Sequence, residues 1–430
     1  MAPLRIGIAG LGTVGAGVVK VLSANGEQIA ARCGRAIEVV AVAARDRKKD
    51  RGIDTSKFRW VDDPVALATD PAIDVVVELI GGEDGAARNL VEAAVAAGKG
   101  VVTANKALIA KRGVAIAAEA EKKGVPLYFE AAVAGGIPIM KALRESLAAN
   151  QLTRIYGILN GTCNYILTTM EASGRDFADV LAEAQKLGYA EADPSFDIDG
   201  VDTAHKLAIL ASVAFGVPVD FSAIHVEGIR NITAQDIRFA AELGYRIKLL
   251  GIAMRTAQGL EQRVHPCMVP IHSPVAHVEG AYNAVLADGD FVGRTVYEGS
   301  GAGAGPTASA VVADIIDIAR GHRVSPFGVP TAALKKLKAG SVENRFGAYY
   351  WRLEVTDQPG VMADVAAIMR DHRVSIESVL QRGRDPGERV SVIMTLHEAE
   401  ERGMKAALAE IGRLGCMAAP PCMIRIEPNL

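Results

Sequence analysis

The chain lacks any C-x-x-C pair: its five cysteines, Cys33, Cys163, Cys267, Cys416 and Cys422, are odd in number and scattered. That argues against a disulfide framework and against structural zinc, and a reducing compartment is expected. Nor is there an excess of positive charge. A net charge of −3 over 430 residues offers no basic footprint for nucleic acid and no polybasic segment for an anionic lipid surface. Long apolar runs are missing too: LAILASVAFGVPV stops at Asp220 after 13 residues, short of a membrane-spanning helix. The N-terminus, MAPLRIGIAG, enters a strand pattern at once and leaves no room for a secretory leader. A cytoplasmic, soluble protein is expected, with small molecules and other chains as partners rather than nucleic acid or membrane.

Half of the residues are hydrophobic and 23% are charged, the balance of a globular protein with a sizeable core. At roughly 150 residues per domain, a chain of this length suggests about three. LRIGIAG, IEVVAVAA, IDVVVELIG, GVVTA and VPLYFE read as strands separated by Ala-rich helices at Gly85–Ala97 and Lys106–Lys123. Runs that are apolar on both faces require a parallel sheet covered on both sides, so the fold class is α/β with a doubly wound first domain. After Glu130 the order becomes mixed: a helix near Pro138–Ala149, strands at Arg154–Leu159, Tyr245–Met254 and Glu261–Pro270, then GSGAGAGP opening a helix from Thr307 to Arg320. This predicts an α+β domain with a more antiparallel sheet. A Pro-, Gly- and Lys-rich stretch to Gly347 reads as a connection. The remainder has the order βαββαβ: strand Tyr349–Val355, a turn at Asp357-Gln358-Pro359-Gly360, a helix, a hairpin across Asp385-Pro386-Gly387, a helix near Glu398–Leu414 and a last strand near Met423. The expected boundaries are 1–131, with helix 306–321 packing back on it, then 132–321, a linker 322–347, and 348–430.

The opening strand runs into Gly10-Leu11-Gly12-Thr13-Val14-Gly15, and a helix follows. A G-x-G-x-x-G between strand and helix supplies a tight turn, a close backbone approach for a pyrophosphate and a helix N-terminus for its charge. The second strand ends in Ala44-Arg45-Asp46-Arg47-Lys48-Lys49. Arg45, where an acid would grip a ribose hydroxyl, favours the 2′-phosphate of NADP, while Asp46 keeps NAD possible.

Residues 188–206, GYAEADPSFDIDGVDTAHK, place Glu191, Asp193, Asp197, Asp199 and Asp202 ahead of Lys206. Asp199 is a plausible N-cap with Asp202 three residues on. Asp202 and Lys206 share a helix face, which describes equally a surface ion pair and a lysine held as proton donor and acceptor for a carbonyl/hydroxyl pair. His205 and the group His265, His272 and His277 lack metal-site spacing and read as structural or exposed.

GLGTVG at 10–15, TANKAL at 103–108, EAAVAGGIPIM at 130–140, GILNGTCNYIL at 157–167, GYAEADPSFDIDGVDTAHKLAIL at 188–210 and GAGAGPTASAVVADI at 301–315 occur in an order that resembles homoserine dehydrogenase of the longer kind, which carries a C-terminal ACT regulatory domain. The resemblance covers nearly the whole chain. It implies a Rossmann-like nucleotide-binding domain, a catalytic and dimerisation domain and a ferredoxin-like ACT domain. It implies Lys206 as acid/base with Asp202 beside it, Glu191 on the substrate ammonium, Lys106 by cofactor and substrate, and Asp197 in the substrate site, with Gly301 and Gly303 at the cofactor. It also implies a monovalent cation, usually sodium, held by the Glu130 side chain or carbonyl and the carbonyls of Val133, Gly135 and Ile137. The reaction expected is reduction of L-aspartate 4-semialdehyde to L-homoserine by an NADP-preferring homodimer or homotetramer. From a length of 430 residues, a fused kinase of the kind carried by some bifunctional relatives is not expected.

Two alternatives stand beside this. An acylating enzyme similar to aspartate-semialdehyde dehydrogenase would use Cys163 as nucleophile. A catalytically silent amino-acid sensor would keep the nucleotide fold, although Lys206, Asp202, Glu191 and Lys106 are all intact. In the tail, Asp357-Gln358-Pro359-Gly360 resembles the D-x-P-G turn of ACT domains, which pair through their sheets. That implies an amino-acid effector, threonine in this pathway, with Asp357 and Gly360 at its site; a dimerisation module without a ligand is the plainer reading.

Overall fold

The structure is a computed structural model describing residues 2–381 and 387–430. Strands β1 (Leu4–Ala9), β2 (Ile37–Ala43), β3 (Arg59–Trp60), β4 (Val75–Glu78), β5 (Gly100–Thr103) and β6 (Leu127–Tyr128) form a sheet in the order β3-β2-β1-β4-β5-β6. Every neighbouring pair is parallel. The apolar runs are the cause: each residue of Val75–Glu78 and Gly100–Thr103 is buried, so both faces need helical cover. Helices α1 (Thr13–Cys33), α2 (Ala66–Thr69), α3 (Ala86–Ala96) and α4 (Lys106–Lys123) follow the strands. Asn105 caps α4 by accepting from the Leu108 amide at 3.1 Å, and Gly124 ends it in the left-handed region. The strand order reverses between β1 and β4, which opens a crevice at their C-terminal ends.

The expected regular helix over Pro138–Ala149 is instead a single α-turn, α5 (Ile139–Lys141), widening into a π-turn at Ala142–Ser146. The buried Glu130 carboxylate accepts from the Met140 and Lys141 amides at 2.8 and 2.9 Å and so fixes that first turn from outside the helix. Beyond it come β7 (Leu152–Ile158), α6 (Gly161–Ser173), α7 (Phe177–Lys186), α8 (Ser195–Ile198), α9 (Val201–Phe215), β8 (His225–Val226), α10 (Ala234–Glu242), β9 (Tyr245–Thr256), β10 (Gly259–Pro270), β11 (Tyr282–Gly289) and β12 (Gly293–Ser300). The order β12-β11-β7-β9-β10 is antiparallel throughout. Helix α9 is buried on nearly every side, and Gly251 on β9 lets it approach: a Cβ there would sit 3.2 Å from Thr203. Charged residues on α9 are therefore inside the protein, not on its surface.

Helix α11 (Ala304–Arg320) begins three residues before the expected Thr307 and lies on α1, where Val311, Val312 and Ile315 share a core with Val18, Val19 and Leu22. Gly17 permits this contact, since a Cβ there would lie 2.7 Å from the Ala304 carbonyl. The connection after it is tightly bound rather than loose. Phe327 is fully buried with its ring 5.4 Å from that of Phe129, the Thr331 amide donates to Glu121 at 2.9 Å, and the Leu260 amide donates to the Lys338 carbonyl at 2.9 Å.

The tail comprises β13 (Phe346–Thr356), α12 (Val361–Asp371), β14 (Ile376–Gln381), β15 (Arg389–Glu400), α13 (Glu401–Ile411) and β16 (Cys422–Ile426), ordered β16-β13-β15-β14. This is the ferredoxin-like arrangement. Helix α13 starts later than the expected Glu398 because β15 stays paired with β13 as far as Phe346↔Glu400. Of the expected hairpin turn, Asp385 and Pro386 lie outside the described residues. Strand β16 pairs in parallel with β10, Cys267 opposite Arg425 and Met268 opposite Ile426. Among the described residues, the middle and tail strands thus make one ten-stranded sheet. One sheet edge of the tail is consumed within its own chain.

Candidate active site

The glycine turn is built by contact. Gly10 has φ +100°, and a Cβ on it would sit 2.5 Å from the Leu79 carbonyl; a Cβ on Gly15 would sit 2.0 Å from the Gly10 carbonyl. A Cβ on Gly12 would meet no described atom within 4 Å. So Gly10 and Gly15 are dictated by the turn, whereas Gly12 faces open space, which leaves room for a ligand close to the protein backbone. The first turn of α1, Thr13-Val14-Gly15, carries no acid and presents its amides to that space. These residues fit a dinucleotide pyrophosphate. Arg45 lies just past β2 and is exposed. The cation that touches the turn is Arg51: its Nε donates to the Leu11 carbonyl at 2.9 Å, and its other nitrogens reach the carbonyls of Lys49 and Asp46. Arg47 and Arg51 both lie over the Trp60 ring, at 5.8 and 5.6 Å. The sequence reading missed Arg51 because a cation run does not say which member turns inward.

Two cavities meet beyond this turn. The larger, about 1040 Å³, is lined by Asn160, Thr162, Tyr189, Asp197 and Asp202. A smaller one of about 280 Å³ is lined by Val14, Ile80, Ala104, Gly135 and Thr307 on the crevice side. Lys106, Lys206 and Gly301 line both, so the two amines stand at the junction; Gly303 lines the larger one.

At that junction Lys206 Nζ donates to the Leu159 carbonyl at 2.6 Å and to Asp202 Oδ2 at 2.8 Å. Lys106 Nζ lies 2.8 Å from Asp202 Oδ1. Asn160, which the sequence reading did not single out, joins the two acids by donating through Nδ2 to Asp197 Oδ1 and Asp202 Oδ2, each at 2.8 Å. Its Oδ1 accepts from the Cys163 amide and caps α6. Asp202 is 3% exposed and Lys206 9%, so the surface-pair reading fails. Burial alone would push the Asp202 carboxyl up, but Lys206 and Lys106 more than offset that and hold it well below the usual carboxylate range. Burial raises Asp197, against the Asn160 hydrogen bond and with Asp202 adding to the rise. The node therefore holds one firmly ionised acid between two amines, with a second acid that takes up a proton more readily beside it.

Asp199 does not cap α9. Gly200 holds the N-cap position in the left-handed region at φ +84°, and the Asp199 carboxylate instead pairs with Arg230, on the loop after β8. Glu191 is exposed and lies off the cavity lining, in the segment just after Gly188 and Tyr189, which do line it. Cys163 is fully buried and its Sγ donates to the Asp197 carbonyl at 3.3 Å; burial raises the thiol well above its ordinary value, which removes the nucleophile reading.

The Glu130 loop is held by strain and close contact: Ala134 and Gly135 have φ +55° and +50°, and a Cβ on Gly135 would sit 2.4 Å from the Gly301 carbonyl. The Glu130 carboxylate is spent on two amides, and burial raises its pKa. The Ile137 carbonyl accepts from the Ile139 amide at 2.8 Å and that of Glu130 from Val133 at 3.3 Å. A hard cation here would rest on carbonyl oxygens, since the side chain is committed. His265, Cys267 and Glu427 come within 4.8 Å of one another, a cluster invisible in the linear spacing. Its donors are already used: Arg263 donates to the His265 ring, and Arg263 and Arg345 both bind Glu427, so two guanidinium cations occupy the place of a metal. In the tail, Gly360 has φ +97° and opens α12, and the Asp357 carbonyl accepts from Gly387 at 2.9 Å.

Three family models match in sequence order: "Homoserine dehydrogenase, NAD binding domain" over residues 10–130, "Homoserine dehydrogenase" over 138–316 and "ACT domain" over 352–416. The chain is 48% identical over 434 residues to the homoserine dehydrogenase of Pseudomonas aeruginosa, covering 99% of each. A crystal structure of a homoserine dehydrogenase from Thiobacillus denitrificans superimposes with a TM-score of 0.93 at 48% identity, covering 99% of this chain and 98% of that one. A hyperthermophilic archaeal homoserine dehydrogenase in complex with NADPH matches with a TM-score of 0.64 at 26% identity, over 75% of this chain and 99% of that one.

Proposed function

The chain belongs to the homoserine dehydrogenase family, an oxidoreductase with an NAD-binding and an ACT domain, and on that premise we propose that it reduces L-aspartate 4-semialdehyde to L-homoserine with NADP in preference to NAD. The observation that carries the mechanism is the place of Lys206: buried, at the junction of the two cavities, with two of its three N–H groups engaged by Leu159 and Asp202. When bound, the nicotinamide supplies the hydride. Lys206 gives a proton to the carbonyl oxygen in reduction and takes it back in oxidation. Asp202 orients Lys206 and balances its charge, and Lys106 places a second cation beside the same carboxylate. Asp197, held by Asn160, and Glu191 in the rim segment bind the amino-acid end of the substrate.

The cofactor preference is supported by Arg45 and its neighbouring cations at the end of β2; the archaeal relative is described with NADPH. Carbonyls of Glu130, Val133, Gly135 and Ile137 would hold a monovalent cation, sodium in the first instance. Threonine binds the ACT domain near Asp357 and Gly360 and restrains turnover in threonine, methionine and isoleucine biosynthesis. The enzyme works in the cytoplasm as a homodimer or homotetramer. Among the described residues, no helix is long and apolar enough to cross a membrane.

Steady-state rates with homoserine and either cofactor, with and without threonine, test these points together. Lys206→Ala should lower kcat by about two to four powers of ten while the cofactor KM changes little. Near wild-type turnover in that variant would end the acid/base assignment.

A further inference from the structure

The tail is joined to the middle domain by buried charge as well as by strands, and one of these joints runs to the acid-bearing loop. Arg425 on β16 is fully buried, with a bidentate pair to Glu227 at 2.7 and 2.8 Å and a second to Glu401 on α13 at 2.8 and 2.5 Å. Glu401 belongs to the tail; Glu227 follows β8 in the middle domain, its amide donating to the Val264 carbonyl at 2.7 Å. The residues after Glu227 press directly on the turn that carries Asp197. A Cβ on Gly228 would lie 2.1 Å from the Ile198 carbonyl and 2.5 Å from the Asp199 Cα, and the Ile229 amide donates to that same Ile198 carbonyl at 2.8 Å. Ile198 is fully buried and lies between Asp197 and Asp199.

We infer that Glu227 and Arg425 are positioning residues for the proposed reaction: the tail guanidinium, acting through Glu227 and the Gly228–Ile229 backbone, sets where the Ile198 turn holds Asp197 against Asn160. Arg425 touches neither cavity. It acts because a bidentate pair fixes the carboxylate in two dimensions and the glycine contact leaves no slack between Glu227 and the turn. The tail is then a structural part of the active site whether or not an effector is bound. A second tail joint provides the contrast. Arg352 on β13 donates to Asp236 on α10 at 2.7 and 3.2 Å, a pair buried on both sides, more so than Arg425 with its half-buried Glu227, and its acid caps α10 through Thr233 instead of pressing on the acid turn.

The inference rests on the reading of the Asp197–Lys206 segment as the reacting site, and its test is separate from the Lys206 one. Glu227→Ala, Arg425→Lys, Arg425→Met and Arg352→Met are compared by thermal melting and by steady-state kinetics of the full-length protein. Glu227→Ala keeps Arg425 paired with Glu401, so it serves if Arg425→Met does not fold. Glu227→Ala and Arg425→Met should each lower kcat/KM for the amino-acid substrate about tenfold or more with cofactor KM within roughly twofold, and Arg425→Lys should recover part of the loss. The double variant should be no worse than the worse single one, as expected of two members of one chain of contacts. Arg352→Met should leave kcat/KM within roughly twofold at a comparable drop in melting temperature. If a folded Glu227→Ala keeps wild-type kcat/KM, or if Arg352→Met loses as much activity as the Glu227 and Arg425 variants, the proposal is overturned. Lys206→Ala bears only on the acid/base reading.

Discussion

Replacing Asn160 by aspartate changes one atom's chemistry and almost nothing of the shape. The amide nitrogen donates to Asp197 and Asp202 at 2.8 Å each, so in Asn160→Asp an oxygen faces two carboxylate oxygens at hydrogen-bond distance. Two hydrogen bonds to charged groups, at about 1.5–3 kcal/mol each, are lost, roughly 3–6 kcal/mol in all. At about 1.36 kcal/mol per factor of ten, that is an upper bound of roughly two to four powers of ten in kcat/KM. Stability should suffer less, because the new carboxylate still accepts from the Cys163 amide and aspartate is a good N-cap. Three acids around one point cannot all ionise, and the proton goes first to the Asp197 side, where burial already raises the pKa, rather than to Asp202, which two amines hold ionised. Activity of the variant should therefore recover as the pH is lowered, whereas Asn160→Ala, which removes the donor without adding charge, should lose activity with no such recovery. The assay is the rate of cofactor reduction with homoserine across a pH series. Asn160→Asp within about threefold of wild type at neutral pH, or a pH profile shared with Asn160→Ala, would refute the reasoning.

Gly12→Val should fold normally, because the position is extended and a Cβ there meets no described atom within 4 Å, yet it should raise the cofactor KM by about tenfold or more by filling the place of the pyrophosphate. An unchanged cofactor KM would remove the nucleotide from that turn. Lys248 is fully buried, donating to the Val278 carbonyl at 2.6 Å and to Asn164 at 3.3 Å, and burial lowers its pKa to about 8 from 10.5. The folded state then binds fewer protons than the unfolded one between those two values, so stability rises with pH across that window and the cost of the buried charge is complete below it. The full effect is about 3 kcal/mol, and Lys248→Met should abolish that slope in denaturant melts; an identical slope in both proteins would contradict the assignment.

Much of the fold was legible because it is written in local pattern. A four-residue run of apolar side chains with no polar face admits few placements other than the middle of a covered parallel sheet, and the glycines at 10, 12 and 15 are spaced by the geometry of one turn. The alternation through Tyr349, Trp351, Leu353 and Val355 likewise settles a strand and its buried face, and all four are buried. The expectation that went wrong at Asp199 failed for a reason of the same scale. A residue next to a helix start can cap it or pair elsewhere, and the left-handed Gly200 together with Arg230 decided the matter.

What the linear chain by itself determined, then, is the element order, the glycine turn and the set of ionisable residues available to the candidate site. Tertiary structure alone decided which of those residues meet. An i,i+4 acid and lysine have the same spacing on a wet helix face and on a buried one, and only the packing of α9 over Gly251 takes Asp202 and Lys206 out of water. Asn160 reaches acids 37 and 42 residues away, Arg51 reaches a carbonyl 40 residues back, and Arg425 reaches Glu227 across 198 residues. Periodicity within a segment has no term for such distances, because the side chain's partner is set by how whole elements cross, not by what precedes it in the chain.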